Sequence, residues 1–329
     1  MSGIQPFTET FEDHLYQHPV VLKNENGDKI ELQAIFQDTL PEGSSVGTVV
    51  TLHGAPGSHK DFKYMVPYLQ EIGIRCIGIN FPGFGYTLFD PKLTITNMER
   101  VHFVEAIINE ILKVPEDVIF LGHSRGTENA LKMAVLNQKK SLAAVLVNPV
   151  GLRPHRPVRP VWMMSFIARL YDLKWPWVTW ILENVLYYIL QQFGIKSKTP
   201  FIAALITKNL STTEFANQQK FINLANQSDL KIVNVYGSKD RLIEKEISQE
   251  FAVAFKDNIQ LYHNHHVRGE EPEIINSVLN EINRGTRHLS INFTQEGHSL
   301  QKDRAYFLAK IIQAILEGRR KALSTSNNF

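Results

Sequence analysis

The chain has 329 residues, of which 43% are hydrophobic and 21% charged, and its 35 Lys and Arg against 33 Asp and Glu give a formal net charge of +2. This globular composition excludes intrinsic disorder and collagen-like repeats, and the near-neutral charge argues against a nucleic-acid-binding protein. The length is compatible with two domains or with one α/β domain that carries an insertion.

Cys76 is the single cysteine of the sequence, so no intrachain disulfide and no cysteine-based metal framework can form. The first residues lack the basic and continuous apolar regions of a secretory signal. No stretch reaches the roughly 18 uninterrupted apolar residues of a membrane span. The sequence therefore predicts a cytoplasmic protein.

Short β-rich runs alternate with helical patterns, which predicts a mostly parallel sheet covered by helices on both faces. Segments 20–23 and 30–37 are expected to form an antiparallel lead-in. The later predicted strands are 48–52, 75–80, 118–121, 142–147, 231–236 and 289–293, and the helices between and after them are 62–72, 98–112, 127–136 and 301–316. The expected sheet has eight strands.

The alternation stops after the sixth strand. A Pro- and Arg-rich link covers residues 151–160, and about seventy residues of helical pattern follow it. We call residues 151–230 the lid segment. The predicted organisation is an α/β core of residues 1–150 and 231–329, with this helical lid inserted between two strands.

The pentapeptide Gly122-His123-Ser124-Arg125-Gly126 matches G-x-S-x-G between a predicted strand and a predicted helix. Such a tight turn strains the serine backbone and lifts the hydroxyl above the sheet, and the flanking positions must be small because a Cβ there would meet backbone. The alternative is an ordinary strand-to-helix turn. The order of the companion residues favours a catalytic serine, since an acid and then a histidine follow later strands.

Asp240 is the predicted acid because it lies just past a strand, at the edge of the sheet where Ser124 is expected to emerge. A surface turn is the alternative role for this residue. Glu244 is a nearby competitor, whereas Asn148, after the preceding strand, cannot carry a charge. His298 is the predicted base, because it lies in the loop after the last strand and before the last helix.

The loop His53-Gly54-Ala55-Pro56-Gly57 follows a strand at a place where a backbone N–H can point towards the nucleophile. We expect the amides of Ala55 and Arg125 to form an oxyanion hole. The alternative for the loop is a turn without a catalytic role. The Arg125 guanidinium is expected to pair with a nearby carboxylate rather than with an anionic substrate.

The motifs HGAPG, NFPGFGYT, GHSRG, GSKD and EGH follow the third, fourth, fifth, seventh and eighth predicted strands. In this order they resemble the α/β-hydrolase superfamily over nearly the whole chain. GHSRGTENAL and NPVGLRPHRPVRP are similar, more narrowly, to a group of such proteins known mostly from nematodes that carries a domain-of-unknown-function label. The resemblance implies an α/β-hydrolase fold with Ser124 as nucleophile, His298 as general base and Asp240 as the residue that orients the imidazole. A serine at the elbow argues against the epoxide hydrolase and haloalkane dehalogenase branches.

All four tryptophans of the chain fall in the lid segment, among other aromatic residues and methionines. Because an insertion at this point would lie over Ser124, we expect Trp162, Phe166, Trp177 and Trp180 to line an apolar substrate pocket. One alternative is that the aromatic residues form a small core of the lid itself. Another is a peripheral membrane contact, which the arginines of the link would support.

The predicted function is hydrolysis of an apolar carboxylic ester or thioester by an activated serine, with a small apolar molecule as substrate and no cofactor. His263, His265 and His266 lie in a charged stretch without fitting carboxylates, so no metal site is predicted. A carbon-carbon bond hydrolase, a proline-type aminopeptidase and a non-catalytic binding protein on the same scaffold remain alternatives. The sequence leaves the oligomeric state open.

Overall fold

The computed structural model describes residues 3–24, 26–112, 117–265 and 271–326. The strands in these ranges are β1 Gln5–Pro6, β2 Leu15–Lys23, β3 Lys29–Asp38, β4 Thr48–Leu52, β5 Arg75–Ile79, β6 Val118–His123, β7 Ser141–Val147, β8 Lys231–Gly237, β9 Ile259–His263 and β10 His288–Phe293. The α-helices are α1 Val66–Glu71, α2 Asn97–Ile111, α3 Gly126–Leu136, α4 Val161–Asp172, α5 Pro176–Gln192, α6 Pro200–Ser211, α7 Gln218–Asn226, α8 Lys245–Val253, α9 Pro272–Asn283, α10 Leu300–Asp303 and α11 Ala305–Ser326.

The strands form one sheet in the order β1-β2-β3-β5-β4-β6-β7-β8-β10-β9. The pairs formed by β1, β2 and β3 are antiparallel, and every pair from β5 to β9 along the sheet is parallel. The predicted α/β architecture is confirmed, and all eight predicted strands are present.

The predicted strand count was wrong, because the described residues contain ten strands. β1 is two residues long and includes a proline, so it is too short to produce a periodic signal. β9 pairs with β10 alone, at the edge of the sheet, and four of its five residues are exposed or half-buried. It therefore lacks the continuous apolar run of an internal strand.

β6 lies near the centre of the sheet and packs on both of its faces. Phe120 joins the hydrophobic cluster that contains α2 and α3, whereas its neighbours Ile119 and Leu121 join the cluster that contains α11. Successive side chains of a strand point to opposite faces, so a central strand covered on both sides must be apolar throughout. This packing fixes the strand end from which the G-x-S-x-G turn departs.

The lid segment contains α4 to α7, between β7 and β8. α6 is its inner helix, since residues such as Ala203 and Leu205 are fully buried, while α4 and α5 pack on α6 from outside. No helix in the described ranges combines the length and apolarity needed to cross a membrane.

Candidate active site

Ser124 lies in the turn between β6 and α3 with a φ of +52°, in the left-handed region that side chains other than glycine rarely adopt. Its backbone N–H donates to the Val147 carbonyl at 2.9 Å. A Cβ at Gly122 would lie 2.4 Å from the carbonyl oxygen of Gly126, and a Cβ at Gly126 would lie 2.1 Å from that of Leu52. Both glycines are therefore required by close backbone contacts.

The structure brings the three predicted triad side chains together. His298 Nε2 lies 3.0 Å from Ser124 Oγ, and His298 Nδ1 lies 2.7 Å from Asp240 Oδ2. The serine hydroxyl can donate to one ring nitrogen while the other donates to the carboxylate. This is the relation of nucleophile, base and orienting acid that activates a serine.

Asp240 is buried and held by several donors. Its Oδ1 accepts from the backbone amides of Leu242 at 2.8 Å and Ile243 at 3.0 Å. Burial raises the pKa of this carboxyl, but the hydrogen bonds from His298 and from the two amides outweigh burial, so the pKa lies below its ordinary value. The carboxylate is thus ionised at neutral pH.

Asn148, which was not predicted as the acid because it carries no charge, contacts Asp240. Its Nδ2 donates to Asp240 Oδ2 at 3.0 Å and to the Gly297 carbonyl at 3.2 Å, so it links the acid to the loop that bears the base. Its place at the end of β7, beside β8, was the available signal. The competitor Glu244 instead pairs with Arg159, at the start of α8.

The loop that carries His298 is fixed from two sides. Arg304 pairs with Glu271 and with Glu296, whose Oε1 lies 2.8 Å from Nη2, and all three side chains are buried. His123 Nε2 donates to the His298 carbonyl at 2.8 Å, and burial lowers the pKa of His123 to about 3, so this donor is neutral. These contacts hold the imidazole close to Ser124.

The loop predicted to supply an oxyanion donor lies against the nucleophile, since a Cβ at Gly54 would be 3.1 Å from that of Ser124. His53 fixes the loop: its Nε2 accepts from the Phe81 amide at 3.1 Å, and its Nδ1 lies 2.7 Å from the Gly54 carbonyl. Neither the Ala55 nor the Arg125 backbone N–H donates to another residue within the described ranges. Within these ranges both amides therefore have an unused donor.

A family model described as "Alpha/beta hydrolase of unknown function (DUF1057)" matches residues 12–317. The chain belongs to this α/β-hydrolase family. The resemblance inferred from the motifs is thereby confirmed, both for the superfamily and for the group of unknown function.

One relative of this α/β hydrolase is Uncharacterized protein F35H12.5 of Caenorhabditis elegans, which is 28% identical over 301 residues, 88% of this chain and 83% of that protein. Haloalkane dehalogenase DbeA from Bradyrhizobium elkani has a TM-score of 0.61 at 15% identity, with 94% of this chain and 99% of that one covered. The esterase EaEST from Exiguobacterium antarcticum has a TM-score of 0.57 at 15% identity, with 91% and 99% covered. Both structural similarities show the shared fold alone.

Arg125 of this α/β hydrolase has a buried guanidinium that pairs with Glu128, one turn along α3, as the sequence analysis expected. The same guanidinium donates to the carbonyls of Asn209 at 3.3 Å and Thr212 at 3.1 Å, at the end of α6. Arg125 therefore joins the turn that contains Ser124 to the lid segment through its side chain.

Glu128 is also 3.4 Å from Lys132 Nζ, and Lys132 is 2.8 Å from Glu214 of the lid segment. We expect Glu128→Gln to lower the free energy of unfolding by about 3–5 kcal/mol, because it leaves buried cations short of a counter-charge. Urea unfolding measures the loss. Glu250→Gln is the matched control, since its pair with Arg153 is 44% and 48% exposed and is worth at most about 1 kcal/mol. Equal losses in the two variants would contradict this expectation.

A cavity of about 320 Å³ opens in front of Ser124 and His298. Its apolar wall consists of Ala55, Pro56, Pro157, Ile195, Leu210, Leu242 and Ile243. The lid segment contributes to this wall through the connections before α4 and after α5, and through the end of α6.

The predicted pocket residues of the lid segment are corrected by the structure. Trp162, Phe166, Trp177 and Trp180 do not line this cavity, and their side chains are 72%, 55%, 65% and 67% exposed. The reason is the order of the layers, because α4 and α5 lie outside α6 and only the inner parts of the segment face Ser124. The hydrophobicity of these residues predicted a contact with apolar groups, but it did not specify the layer of the structure in which they lie.

His155 is a cavity-lining residue that the sequence analysis missed inside the Pro- and Arg-rich link. It is buried, and neither of its ring nitrogens has a hydrogen-bond partner in the described part of the chain. Burial lowers the pKa of His155 to about 3, so the ring is neutral and offers one donor and one acceptor. Unpaired buried nitrogens at a cavity wall are suited to a polar group of a ligand.

Proposed function

We propose that this α/β hydrolase cleaves apolar carboxylic esters or thioesters through an acyl-enzyme. The observation that carries the proposal is the hydrogen-bonded series Asp240, His298 and Ser124, which ends at a largely apolar cavity. A serine with a base and an oriented acid is the arrangement required for acyl transfer.

In the first half of the proposed reaction, His298 Nε2 takes the proton of Ser124 as Oγ attacks the carbonyl carbon. The amides of Ala55 and Arg125 donate to the resulting oxyanion, and Asp240 stabilises the imidazolium. The bond to the leaving group then breaks, and His298 gives its proton to the departing alcohol or thiol. Water, activated by the same imidazole, hydrolyses the acyl-enzyme in the second half.

The cavity supports a mainly apolar substrate of small size, with Lys196 as the one charged residue of the described lining besides the site itself. Its volume is at the lower end of the roughly 300–1,000 Å³ of small-molecule sites. The side chains of Ile195 and Leu210 would pack on the acyl chain, and neutral His155 would accept or donate one hydrogen bond to the substrate.

A panel of p-nitrophenyl esters of increasing acyl length tests the proposal. We expect kcat/KM to rise as the acyl chain fills the cavity and to fall once the chain is too long for it. Ile195→Trp should shift the optimum to shorter chains because it narrows the cavity. Val253→Trp is the control, since Val253 is exposed outside the cavity. Equal rates along the panel would contradict an apolar acyl pocket.

A fluorophosphonate distinguishes a catalytic protein from a non-catalytic binding protein. It reacts with an activated serine, so the test can be made without knowing the substrate. The enzyme should be labelled stoichiometrically even if no ester of the panel is a good substrate. A folded wild-type protein that takes up no label would favour a binding role on the hydrolase scaffold.

A further inference from the structure

The outer surface of the lid segment is apolar to a degree that is unusual for a face in contact with water. Of the 23 large hydrophobic residues that are exposed in the described ranges, 14 lie between residues 161 and 201. We call the lid outer face the exposed side chains of α4, α5 and the turn between them: Trp162, Phe166, Leu173, Trp175, Trp177, Trp180, Ile181, Val185, Tyr188 and Ile189. Exposed apolar patches of this kind mark interaction sites.

The pattern is clearest along α5. Between residues 177 and 189 its exposed positions, 177, 180, 181, 184, 185, 188 and 189, recur at helical spacing, and among them only Asn184 is polar. Gln191 and Gln192, in the last turn, are also exposed. The opposite side packs inwards through Leu186 and Leu190. A helix at the surface of a protein in water normally carries polar residues on its outer side, so α5 is built for an apolar medium on both sides.

Charge favours a lipid surface as that medium. Residues 161–201, which hold the exposed apolar side chains, carry four Lys and Arg against two Asp and Glu, a formal charge of +2 that equals that of the whole chain. Arg169 and Lys174 are exposed beside the aromatic residues. Tryptophan, tyrosine and basic side chains are the residues that settle at the boundary between headgroups and acyl chains, and anionic lipids attract the cations.

We propose that the lid outer face binds the surface of an anionic phospholipid bilayer. Trp177 and Trp180 enter the boundary between headgroups and acyl chains, while Arg169 meets lipid phosphates. A second copy of the chain is a less suitable occupant, because a symmetric contact would bring together two copies of residues 161–201, each with a net charge of +2. The proposal does not depend on the reaction at Ser124.

The lid outer face is close along the chain to the cavity in front of Ser124. α5 ends at Gln192, and Gly194, Ile195 and Lys196 directly after it line the cavity in front of Ser124. A bilayer on the lid outer face would therefore lie beside a wall of the cavity.

Intrinsic fluorescence provides a direct test, because all four tryptophans of the chain belong to the lid outer face and are 53–72% exposed. The full-length Ser124→Ala protein is mixed with vesicles of phosphatidylcholine, with or without phosphatidylserine, so that hydrolysis cannot alter the lipid. We expect the emission to shift to shorter wavelengths, phosphatidylcholine brominated on its acyl chains to quench it, and phosphatidylserine to strengthen binding. No quenching and no co-sedimentation with either vesicle would overturn the proposal.

Paired variants locate the contact. Trp177→Ser with Trp180→Ser leaves two reporter tryptophans and should weaken vesicle binding by at least about tenfold. Arg169→Glu should weaken the preference for phosphatidylserine. Val253→Ser with Tyr262→Ser, at exposed apolar sites outside the lid segment, should bind like the parent. Shielding of the tryptophans without lipid, with a doubled mass in light scattering, would instead assign the face to a dimer and refute the bilayer contact.

Discussion

Ser124→Ala should lower kcat by about 10⁴-fold or more while the free energy of unfolding changes little. Ser124 Oγ is the atom that would form the acyl-enzyme, and it lies 3.0 Å from His298 Nε2. Its removal takes away the nucleophile but leaves the elbow glycines and the Asp240 contacts in place. Turnover of the best ester of the panel, measured beside a urea unfolding curve, separates the chemical loss from a folding defect.

Fluorophosphonate labelling is the second readout of the same change. The wild-type enzyme and Ser277→Ala, an exposed serine on α9, should be labelled alike, and Ser124→Ala should not react. Labelling of Ser124→Ala at the wild-type level would show that another residue is the nucleophile. Near-normal turnover by this variant would remove the basis of the proposed acyl-enzyme.

Gly126→Ala should reduce the free energy of unfolding by more than about 4 kcal/mol, because a Cβ at this position meets backbone and not a mobile side chain. The new atom would lie 2.1 Å from the Leu52 carbonyl oxygen and 2.6 Å from that of His53. The end of β4 or the start of α3 would have to move, and the loop that contains the proposed oxyanion donor Ala55 follows β4. Turnover should therefore fall together with stability.

Gly318→Ala on α11 is the matched control, since a Cβ there has no atom within 4 Å. Alanine favours a helix over glycine, so this variant should be unchanged or more stable by about 0.5–1 kcal/mol. Equal midpoints of urea unfolding for the two variants would contradict the steric argument at Gly126.

Much of the fold could be predicted, because parallel strands that are covered on both faces appear in the sequence as continuous apolar runs. The apolar run around Phe120 and the glycines of the elbow are two such signals. Each is set by residues that are neighbours in the sequence. β1 and β9 were missed because a short or edge strand buries little and needs little apolar patterning. Their place is decided by the strand they pair with.

The candidate site divides in the same way. The proximity of Ser124, Asp240 and His298 could be predicted because strands that run in parallel bring their carboxyl ends to one edge of the sheet. Asn148 and His155 were not found, because their roles depend on partners or on a cavity far away in sequence. The identity of an Asn or a His residue does not indicate which distant residues it will contact or whether it will line a cavity.

The amino-acid sequence by itself determined the α/β class, the elbow and the order of its companions, since these follow from backbone sterics and from the period of apolar residues. Only the tertiary structure decided which surface the lid tryptophans occupy and which residues line the cavity. Which residues are buried depends on how the layers pack. α6 is the inner helix of the lid segment and α4 and α5 lie outside it. No local pattern in the sequence specifies that order.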